Sequence, residues 1–528
     1  MNSMRYAAML LVAALAETCV LGQDAGSVTA QQAWKLGWPS MHGPFGNFIA
    51  PRTGVELVDD LSDARLLWES ADKGFGRAKH TTGSFKRKGK VAALLGPDAV
   101  AAPGGWAGPI IAEGKLFATT FRPAGKIYDI QTLFKTVEKG CLEADDMLIA
   151  LDAKTGKTIW KAAESGGFVW GVGKRGGFQV APVYNNGRVF SMGTTGRIFA
   201  YSAADGKKLW ETRADPRMIA RRDKELAKSH VLSASAGYGW RQSLVFAGDT
   251  LIVPRKTTLL GLDPACGKAR WTLENVISHW TTPSVWKCGD KEYLLCATGG
   301  KPRQAKMHLI DPGGGRILWT VGGLHATQCS LAPSRTHVLV NVGSLIMKEK
   351  PNGSAPRNEE GDAPFGLPGA YKITPRGARL AWRFPDRPHF LMPTWSDSVA
   401  RPRILIRDGL VYYASEGPGK ENDRRLIVAR ESTGEVLADR LRKGDFWFQL
   451  IEDKLLHSID WSHGSRATFD LYSTEPKGFK KLSGPWKPKQ PLTTAYQVFM
   501  EPPVIAGRIF LRTETGTIIC CDLAKPKK

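Results

Sequence analysis

Apolar and polar residues alternate along most of the chain in short runs that end at turns. In residues 181–212, three apolar runs are separated by the turns Asn185-Asn186-Gly187, Thr194-Thr195-Gly196 and Ala204-Asp205-Gly206, and a fourth short run ends at Trp210. Asn, Asp and Gly tolerate the positive φ of tight hairpin turns. The pattern therefore predicts a sheet of four antiparallel strands in this segment.

The fourth run recurs along the chain, each time with a turn before it. The sequence DAKTGKTIW over Asp152–Trp160 is echoed in residues 202–210, 263–271, 311–319 and 374–382, and more weakly in residues 431–439. Self-similarity at a spacing of roughly 50 residues indicates an array of similar units. The T-G-K sequence is predicted to be a turn, since it lacks the second glycine and the following helix of a phosphate-binding loop.

Counting the repeats predicts the fold. We predict an all-β protein, an eight-bladed β-propeller of four-stranded antiparallel blades, because a closed ring removes exposed sheet edges. The last repeat supplies only three strands, and an N-terminal strand over Ala64–Ser70, which contains Trp68, is predicted to complete it. The tryptophan of each outermost strand is predicted to pack between neighbouring blades. Inner strands are predicted to begin near Trp106, Phe178, Trp240, Trp280, His325, Trp395, Trp447 and Tyr496.

Segments that break the repeat give the predicted domain boundaries. A basic start, an apolar run and small residues at the N-terminus are typical of a signal peptide, and no later apolar run reaches membrane length. We therefore predict an exported protein, periplasmic or extracellular, and a monomer. The predicted parts are a signal peptide (1–22), an N-terminal extension (23–63), the propeller (64–523) and a basic tail (524–528), with helical insertions at 127–144 and 213–236 and a flexible loop at 348–369.

The charge balance changes the expected partner. The chain has 73 Lys and Arg residues against 50 Asp and Glu residues, a net charge of +23. In an exported protein such a field favours anionic partners, although basic residues also keep a large surface soluble.

The cysteines do not form a recognisable disulfide framework. Seven remain after the predicted signal peptide, and an odd, scattered set of this kind has no regular pairing. Cys288 and Cys296 flank one predicted hairpin and either pair or remain buried free thiols.

The repeat A-x-D-x-x-T-G-K-x-x-W, best matched at Ala150–Trp160, resembles that of the PQQ-repeat propellers in the quinoprotein-alcohol-dehydrogenase-like superfamily, over residues 35–523. The segment GWPSMHGPFGNF (Gly37–Phe48) is similar to the W-P-x-x-R-G-P segment that opens many exported members, with His42 in place of Arg. The group includes quinone dehydrogenases and the barrel-assembly lipoprotein of the outer membrane.

In the dehydrogenases of this group, the resemblance implies a quinone held between a tryptophan floor and a vicinal disulfide, with Glu, Asn and Asp on calcium. The adjacent pair Cys520-Cys521 lies here in a predicted strand, where neighbouring side chains point to opposite faces of the sheet. No calcium ligands are recognisable by position. We therefore predict no cofactor and no metal site, and PQQ with calcium remains an alternative.

The predicted chemistry lies at one end of the ring, here called the mouth, where the inner-strand entries and the loops between second and third strands meet. Aromatic rings among basic groups suit stacking on sugars while charge-assisted hydrogen bonds hold carboxylate or sulfate. The predicted function is binding of an anionic polymer, such as an acidic or sulfated polysaccharide. The predicted ligand-binding residues are Trp106, Arg122, Phe178, Trp240, Arg255, Lys256, Trp280, Lys301, Arg303, Trp395, Trp447 and Arg512.

Three alternatives remain at this point. One is a polysaccharide lyase, in which a neutral His or Tyr abstracts a proton beside a carboxylate that an arginine neutralises. The others are a PQQ-dependent dehydrogenase and a scaffold for protein partners. The candidate catalytic residues for the lyase are His279, His325, His463, Tyr496 and Arg241.

Overall fold

The structure is a computed structural model, and it describes most of the repeat region and the segment before it. The described residues are 27–75, 107–129, 140–172, 180–213, 242–278, 281–299, 303–325, 330–344, 365–385, 387, 390, 392–393, 404–415, 425–441, 447–459, 468–490, 492, 502–513 and 515–526.

Strand pairing gives eight four-stranded antiparallel sheets, as the repeat predicts. Consecutive hairpins build blades 1 to 4. Their strands are β2 (Ile110–Ala112), β3 (Lys115–Asp129), β4 (Gly140–Asp152) and β5 (Thr158–Val172); β6 (Val183–Asn185), β7 (Arg188–Met192), β8 (Arg197–Ser202) and β9 (Lys208–Arg213); β10 (Val245–Ala247), β11 (Thr250–Arg255), β12 (Thr258–Leu262) and β13 (Ala269–Leu273); and β14 (Ser284–Cys288), β15 (Lys291–Ala297), β16 (Ala305–Asp311) and β17 (Arg316–Leu324).

Blades 5 to 8 follow, and blade 5 departs from the pattern. Residues 330–334, at its inner position, are not a strand, and a short segment, residues 392–393, completes the sheet by pairing with residues 365–366. The strands are β18 (His337–Ser344), β19 (Phe365–Thr374), β20 (Gly377–Arg383) and β21 (Met392–Pro393); β22 (Ile404–Arg407), β23 (Leu410–Ala414), β24 (Arg425–Arg430) and β25 (Val436–Leu441); β26 (Trp447–Ile451), β27 (Lys454–Ile459), β28 (Thr468–Ser473) and β29 (Lys481–Trp486); and β30 (Val504–Ile505), β31 (Arg508–Arg512) and β32 (Ile518–Asp522).

The N-terminal strand closes the ring, as predicted. Strand β1 (Arg65–Glu69) pairs antiparallel with β32 and becomes the outermost strand of blade 8. A second tie between the two ends of the chain is the bridge between Leu57 and Ala524. Blade 8 therefore forms only when residues from both ends of the chain meet.

Two of the predicted insertions are extended at their edges. The helix predicted at 127–144 is wrong at both ends, because residues 127–129 continue β3 and residues 140–144 begin β4, so that this hairpin is longer than its neighbours. The loop predicted at 348–369 is wrong over 365–369, which belong to β19. The helix predicted at 213–236 falls outside the described residues except for Arg213, which ends β9.

The outer-strand tryptophans pack between blades, as predicted. The indole Nε1 of Trp160 in blade 1 donates to the Ala203 carbonyl of blade 2 at 3.2 Å, and the same bond joins Trp210 to Pro264 at 3.0 Å. Equivalent bonds run from Trp271, Trp319 and Trp382 to the next blade. The repeat tryptophan therefore links each of these blades to its successor and needs no ligand to explain it.

Buried hydroxyl groups tie the inner segments of blades 2 to 5 together. The Ala181 N–H donates to Ser243 Oγ, the Ser243 N–H to Thr282 Oγ1, and the Thr282 N–H to Ser330 Oγ, each at 3.0 Å. Each bond joins one blade to the next, so the seam fixes the relative height of four successive inner segments.

The structure decides whether Cys288 and Cys296 pair with each other. Cys288 is disulfide-bonded, whereas Cys296 is a buried free thiol, so these two residues do not pair. Burial raises the pKa of the Cys296 thiol well above its usual range. Cys520 and Cys521 are also buried and free.

The segment before β1 begins with a short helix, α1 (Ala30–Leu36). Thr29 and Gln32 form a capping box at its start, and Gly37, with φ 65°, ends it. A single 3-10 turn, Leu61–Asp63, follows later. Residues 37–54, which follow α1, are here called the plug, and its two largest apolar side chains, Trp38 and Phe48, are completely buried.

His42 in the plug is a buried histidine whose ring nitrogens make no hydrogen bonds to the described residues. Its side chain is 1% exposed, neither ring nitrogen has a hydrogen-bond partner among the described residues, and its ring meets that of Phe48 edge-on at 4.5 Å. Burial lowers the pKa of His42 to about 3. The imidazole is therefore neutral in the folded protein at ordinary pH.

This burial predicts a pH-dependent stability. In the unfolded chain His42 takes up a proton as the pH falls below about 6.5, whereas the folded protein resists protonation until about pH 3. As the pH falls through that window, protonation stabilises the unfolded state, and the free energy of unfolding decreases by about 1.4 kcal/mol per pH unit. Between pH 7 and pH 5, urea unfolding of wild type should lose about 2 kcal/mol more stability than unfolding of His42→Leu. Equal pH slopes for the two proteins would contradict this.

Candidate functional site

The pairing register places the inner-strand entries and the turns between second and third strands at the same end of every sheet. In blade 3, Ala247 at the end of β10 pairs with Thr250 beside the first hairpin turn, whereas Val245 at the start of β10 pairs with Ile252, nearer the end of β11 that meets the turn to β12. The other hairpins repeat this arrangement because the strands are antiparallel. The mouth is therefore defined by topology, and the opposite end carries the turns after the first and third strands.

Many of the predicted site residues fall outside the described part of the chain, and their roles stay predictions. Arg122, Arg255, Lys256, Arg303, His325 and Arg512 are described, and Trp447 begins β26. The residues outside the description are Trp106, Phe178, Trp240, Arg241, His279, Trp280, Lys301, Trp395, His463 and Tyr496.

Arg122 is half-exposed at the mouth end of β3, and its charge is already matched. Its Nη2 lies 2.6 Å and its Nε 3.2 Å from Oδ2 of Asp145, its cross-strand neighbour on β4. An anionic ligand would have to compete with this carboxylate. Arg122 is therefore a weaker anchor for an anion than its position in the sequence suggests.

Arg512 closes the ring at the mouth. It donates from Nη2 to the Thr119 carbonyl of blade 1 at 2.6 Å and from Nη1 to the Phe75 carbonyl at 3.3 Å. Burial lowers the pKa of Arg512 to about 10, so the guanidinium remains charged at neutral pH. These bonds direct its charge to main-chain oxygens that join blade 8 to blade 1.

Lys256 and Arg303 occupy mouth turns of the adjacent blades 3 and 4. Both are exposed, and both have positive φ, 56° and 62°. A side chain costs roughly 1–2 kcal/mol in this left-handed region, and such strain is concentrated at functional sites. Five other non-glycine residues with positive φ lie instead in turns at the opposite end: Glu113, Asn186, Asp408, Glu452 and Ala506.

Gln242 is a site residue that the sequence reasoning missed. Its Nε2 lies 2.9 Å from the Lys256 carbonyl, 3.0 Å from that of Ser278 and 2.9 Å from that of Thr281. One buried amide thus fixes the basic turn of blade 3 against the entry to blade 4. A lone Gln beside a predicted entry residue carries no pattern that could have announced this role.

A buried carboxylate joins blades 1 and 2 at the same end. Asp146 accepts from the N–H and the hydroxyl of Thr194 at 2.8 and 2.7 Å, and Arg197 Nη2 lies 3.3 Å away. Burial raises the pKa of Asp146, against the opposing effect of these donors. Gly193 leaves room for the contact, since an added Cβ would lie 2.2 Å from Oδ2 of Asp146.

His325 lies at the mouth side of blade 5 but does not present itself as a surface base. Its side chain is buried, and its N–H donates to the Asn341 carbonyl at 3.0 Å. The other candidate catalytic residues lie outside the described part of the chain, so their role in a lyase reaction stays a prediction.

No site for a quinone with its calcium ion is recognisable among the described residues. Among them no three His, Cys, Asp or Glu side chains converge as a metal site would require. Cys520 and Cys521 lie within β32, between β31 and β1, and are not bonded to each other.

These features define the class of protein as an eight-bladed propeller of the PQQ-repeat type. The chain belongs to the PQQ_2 family, described as "Outer membrane protein assembly factor BamB", whose model matches residues 20–322, more than half of the sequence. A search of curated proteins finds no match. No helix among the described residues has the length and apolar character that a membrane crossing requires.

Solved structures with a similar fold are distant in sequence. BamB from Moraxella catarrhalis is 11% identical with a TM-score of 0.45, over 77% of this chain and 99% of that chain. A europium-containing methanol dehydrogenase is 13% identical with a TM-score of 0.38, over 84% and 91%. The quinohemoprotein alcohol dehydrogenase from Comamonas testosteroni is 13% identical with a TM-score of 0.39, over 94% and 85%.

Proposed function

We propose that the protein is an exported, non-catalytic binding propeller that holds an anionic polymer against the basic turns of blades 3 and 4. The observation that carries this proposal is the pair Lys256 and Arg303, two exposed cations in strained turns at the mouth of adjacent blades. The net charge of +23 supports it, since the field of the whole protein attracts a polyanion before contact.

Rigidity of the blade 3 turn also supports this function. Gln242 holds the Lys256 carbonyl, so the lysine extends from a fixed main chain. Prepositioned charge loses less entropy on binding than charge on a mobile loop. Acidic or sulfated polysaccharides have carboxylates or sulfates at regular intervals, and charges on neighbouring blades suit such a repeat.

A scaffold for protein partners is the second candidate, and the distribution of exposed apolar side chains favours it. Of the eight large exposed hydrophobic residues in the described chain, all but Leu36 lie on outermost strands. Outermost strands pair on one side only, and extended polypeptides bind such edges by adding a strand. The family description, which names an assembly factor, is consistent with this role. The seven residues are Leu66, Leu67, Ile159, Leu209, Ile317, Leu380 and Val436.

Binding of heparin and polygalacturonate tests the first proposal. The double variant Lys256→Ala/Arg303→Ala should bind about 5- to 30-fold more weakly at low salt, because two exposed ion contacts contribute roughly 0.5–1 kcal/mol each. Wild-type affinity should fall steeply as salt is raised from 50 to 500 mM. Isothermal titration calorimetry measures both effects.

A control with the same loss of charge separates a site from general attraction. Lys207→Ala/Lys291→Ala removes two exposed lysines at the opposite end of blades 2 and 4, one directly before β9 and one at the start of β15. This control should stay within about twofold of wild type. Equal losses in both double variants, or no salt-sensitive binding by wild type, would refute the proposed function, and specific binding of an extended peptide instead would favour the scaffold.

A further inference from the structure

The outermost strand of blade 4, β17, has an exposed edge. It pairs with β16 on one side only, and its other edge has no strand partner among the described residues. Thr320 and Gly322 are exposed, Ile317 is 39% exposed, and a Cβ added at Gly322 would meet no described atom within 4 Å. Residues 317–322, here called the β17 edge, are therefore accessible to a second chain from solvent.

The β17 edge lacks the residues that protect the other outermost strands from pairing. Charged side chains and proline normally prevent strand addition at an exposed edge. The β17 edge reads ILWTVG, six consecutive residues with neither. The other outermost strands whose side chains are described throughout all carry charged residues or proline, namely Arg65 and Glu69 in β1, Lys208, Glu211 and Arg213 in β9, Arg270 in β13, Arg379 and Arg383 in β20, and Lys481 and Pro485 in β29.

One face of β17 is fixed against blade 5, which holds the edge in place. Trp319 Nε1 donates to the Thr374 carbonyl at 2.8 Å, and Val321, two residues further on the same face, packs against the core between blades 4 and 5. An edge that is already in its paired conformation loses less entropy on binding than a mobile segment.

The charges around the β17 edge indicate an acidic partner. Arg316 begins β17 at one end, and Lys306 lies on β16 beside the other end. Together, β16, β17 and β20 of the next blade carry four Lys or Arg residues and a single acidic residue, Asp311. Acidic residues at both ends of an incoming strand would meet these cations, whereas a second copy of this chain, with its own net charge of +23, would be repelled.

We propose that the β17 edge binds an extended segment of a partner polypeptide, uncharged along its centre and acidic at its ends, which adds a fifth strand to blade 4. The inference rests on the scaffold role, the second candidate above, and is independent of polyanion binding at the mouth. Main-chain hydrogen bonds provide affinity in strand addition, and the flanking cations favour acidic segments over basic ones.

A synthetic peptide tests this inference by fluorescence anisotropy. It has four Val-Thr repeats, with two Asp residues before them and two Glu residues after them. Two control peptides, one with Lys at both ends and one N-methylated throughout its centre, should each bind wild type about tenfold more weakly or less. The first lacks the complementary charge, and the second cannot donate main-chain hydrogen bonds.

Variants with a matched control locate the site. Thr320→Asp puts a negative charge in the middle of the β17 edge and should weaken binding of the acidic peptide about tenfold. Thr272→Asp is the same change directly after the repeat tryptophan of blade 3 and should stay within about twofold of wild type. Thr320 Oγ1 lies 2.9 Å from His308 Nδ1, so Thr320→Ala measures the loss of that contact alone and should also stay within about twofold.

Amide hydrogen exchange shows where the peptide lies. Saturating acidic peptide should slow exchange in residues 317–322 and leave residues 269–273 of β13 unchanged, because amides at an unpaired edge exchange readily with solvent.

Several results would overturn the inference. Equal losses in Thr320→Asp and Thr272→Asp, or slowed exchange only outside residues 317–322, would place the peptide elsewhere and leave the scaffold role standing. Slow exchange of residues 317–322 in wild type without peptide would show that the edge is already covered, by a second copy if the protein elutes as a dimer. No peptide binding by wild type would overturn the inference outright, whereas heparin binding tests the polyanion site separately and should be unchanged in Thr320→Asp.

Discussion

A chain that begins at residue 76 is expected not to form the closed ring. It lacks β1, which pairs with β32, and it lacks the plug, which contacts five of the eight blades. The missing part includes the buried side chains of Trp38, Phe48 and Leu57. Loss of each costs roughly 3 kcal/mol, and the sum approaches the whole stability of an ordinary domain, about 5–15 kcal/mol.

Circular dichroism, gel filtration and thermal melting would measure this effect. A chain that begins at residue 27 is the control, since it keeps every described residue, and it should be monomeric with one cooperative transition. Addition of residues 27–75 as a separate peptide should restore part of the folded signal of the truncated chain. A truncated chain that melts cooperatively on its own would show that the ring closes without its N-terminal strand.

Gly206→Ala is expected to destabilise the protein by about 2 kcal/mol more than Gly187→Ala. The two glycines have nearly the same φ, 75° and 73°, so both substitutions pay the same backbone cost of roughly 1 kcal/mol. They differ in their surroundings, because an added Cβ at Gly206 would lie 2.6 Å from Cε3 of Trp160 whereas none lies within 4 Å at Gly187. Overpacking of this kind costs about 1–3 kcal/mol.

Urea unfolding of the two variants measures the difference, and a double-mutant cycle identifies its cause. In a Trp160→Ala background, Gly206→Ala should cost no more than Gly187→Ala, since the ring it meets is gone. If the two substitutions reduced the free energy of unfolding equally in the wild-type background, Trp160 would have moved to accommodate the new methyl group. The inter-blade contact would then not restrain the turn.

The glycine turn shows how far the repeat could be read from the sequence. The turn of residues 152–157 and the outer strand after it follow from local chemistry, because the glycine there has a positive φ, 71°, and Trp160 follows on an extended run. The reason that this position must be glycine lies elsewhere in the chain. Trp68 of blade 8 packs on Gly156, with an added Cβ at 2.5 Å from the indole.

The predicted site, in contrast, shows what the sequence could not predict, namely which basic side chains are free to bind a ligand. Arg122 and Arg512 are both cations at predicted mouth positions, and nothing local distinguishes them. Asp145 neutralises the first across a strand pair, and the carbonyls of Thr119 and Phe75 engage the second across the ring closure. The availability of a charge depends on partners far away in sequence, and composition does not reveal them.

The sequence by itself determined the blade, its number of copies and the closing strand, because hydrophobic alternation, turn residues and one tryptophan per unit are local signals that repetition strengthens. Only the tertiary structure decided what fills the ring. The segment around His42 belongs to the predicted N-terminal extension, outside the repeats, yet it is buried against the inner strands of blades 1, 2 and 7. Its burial depends on the closed ring, and no pattern within residues 37–54 records the surfaces that eight separate blades bring together.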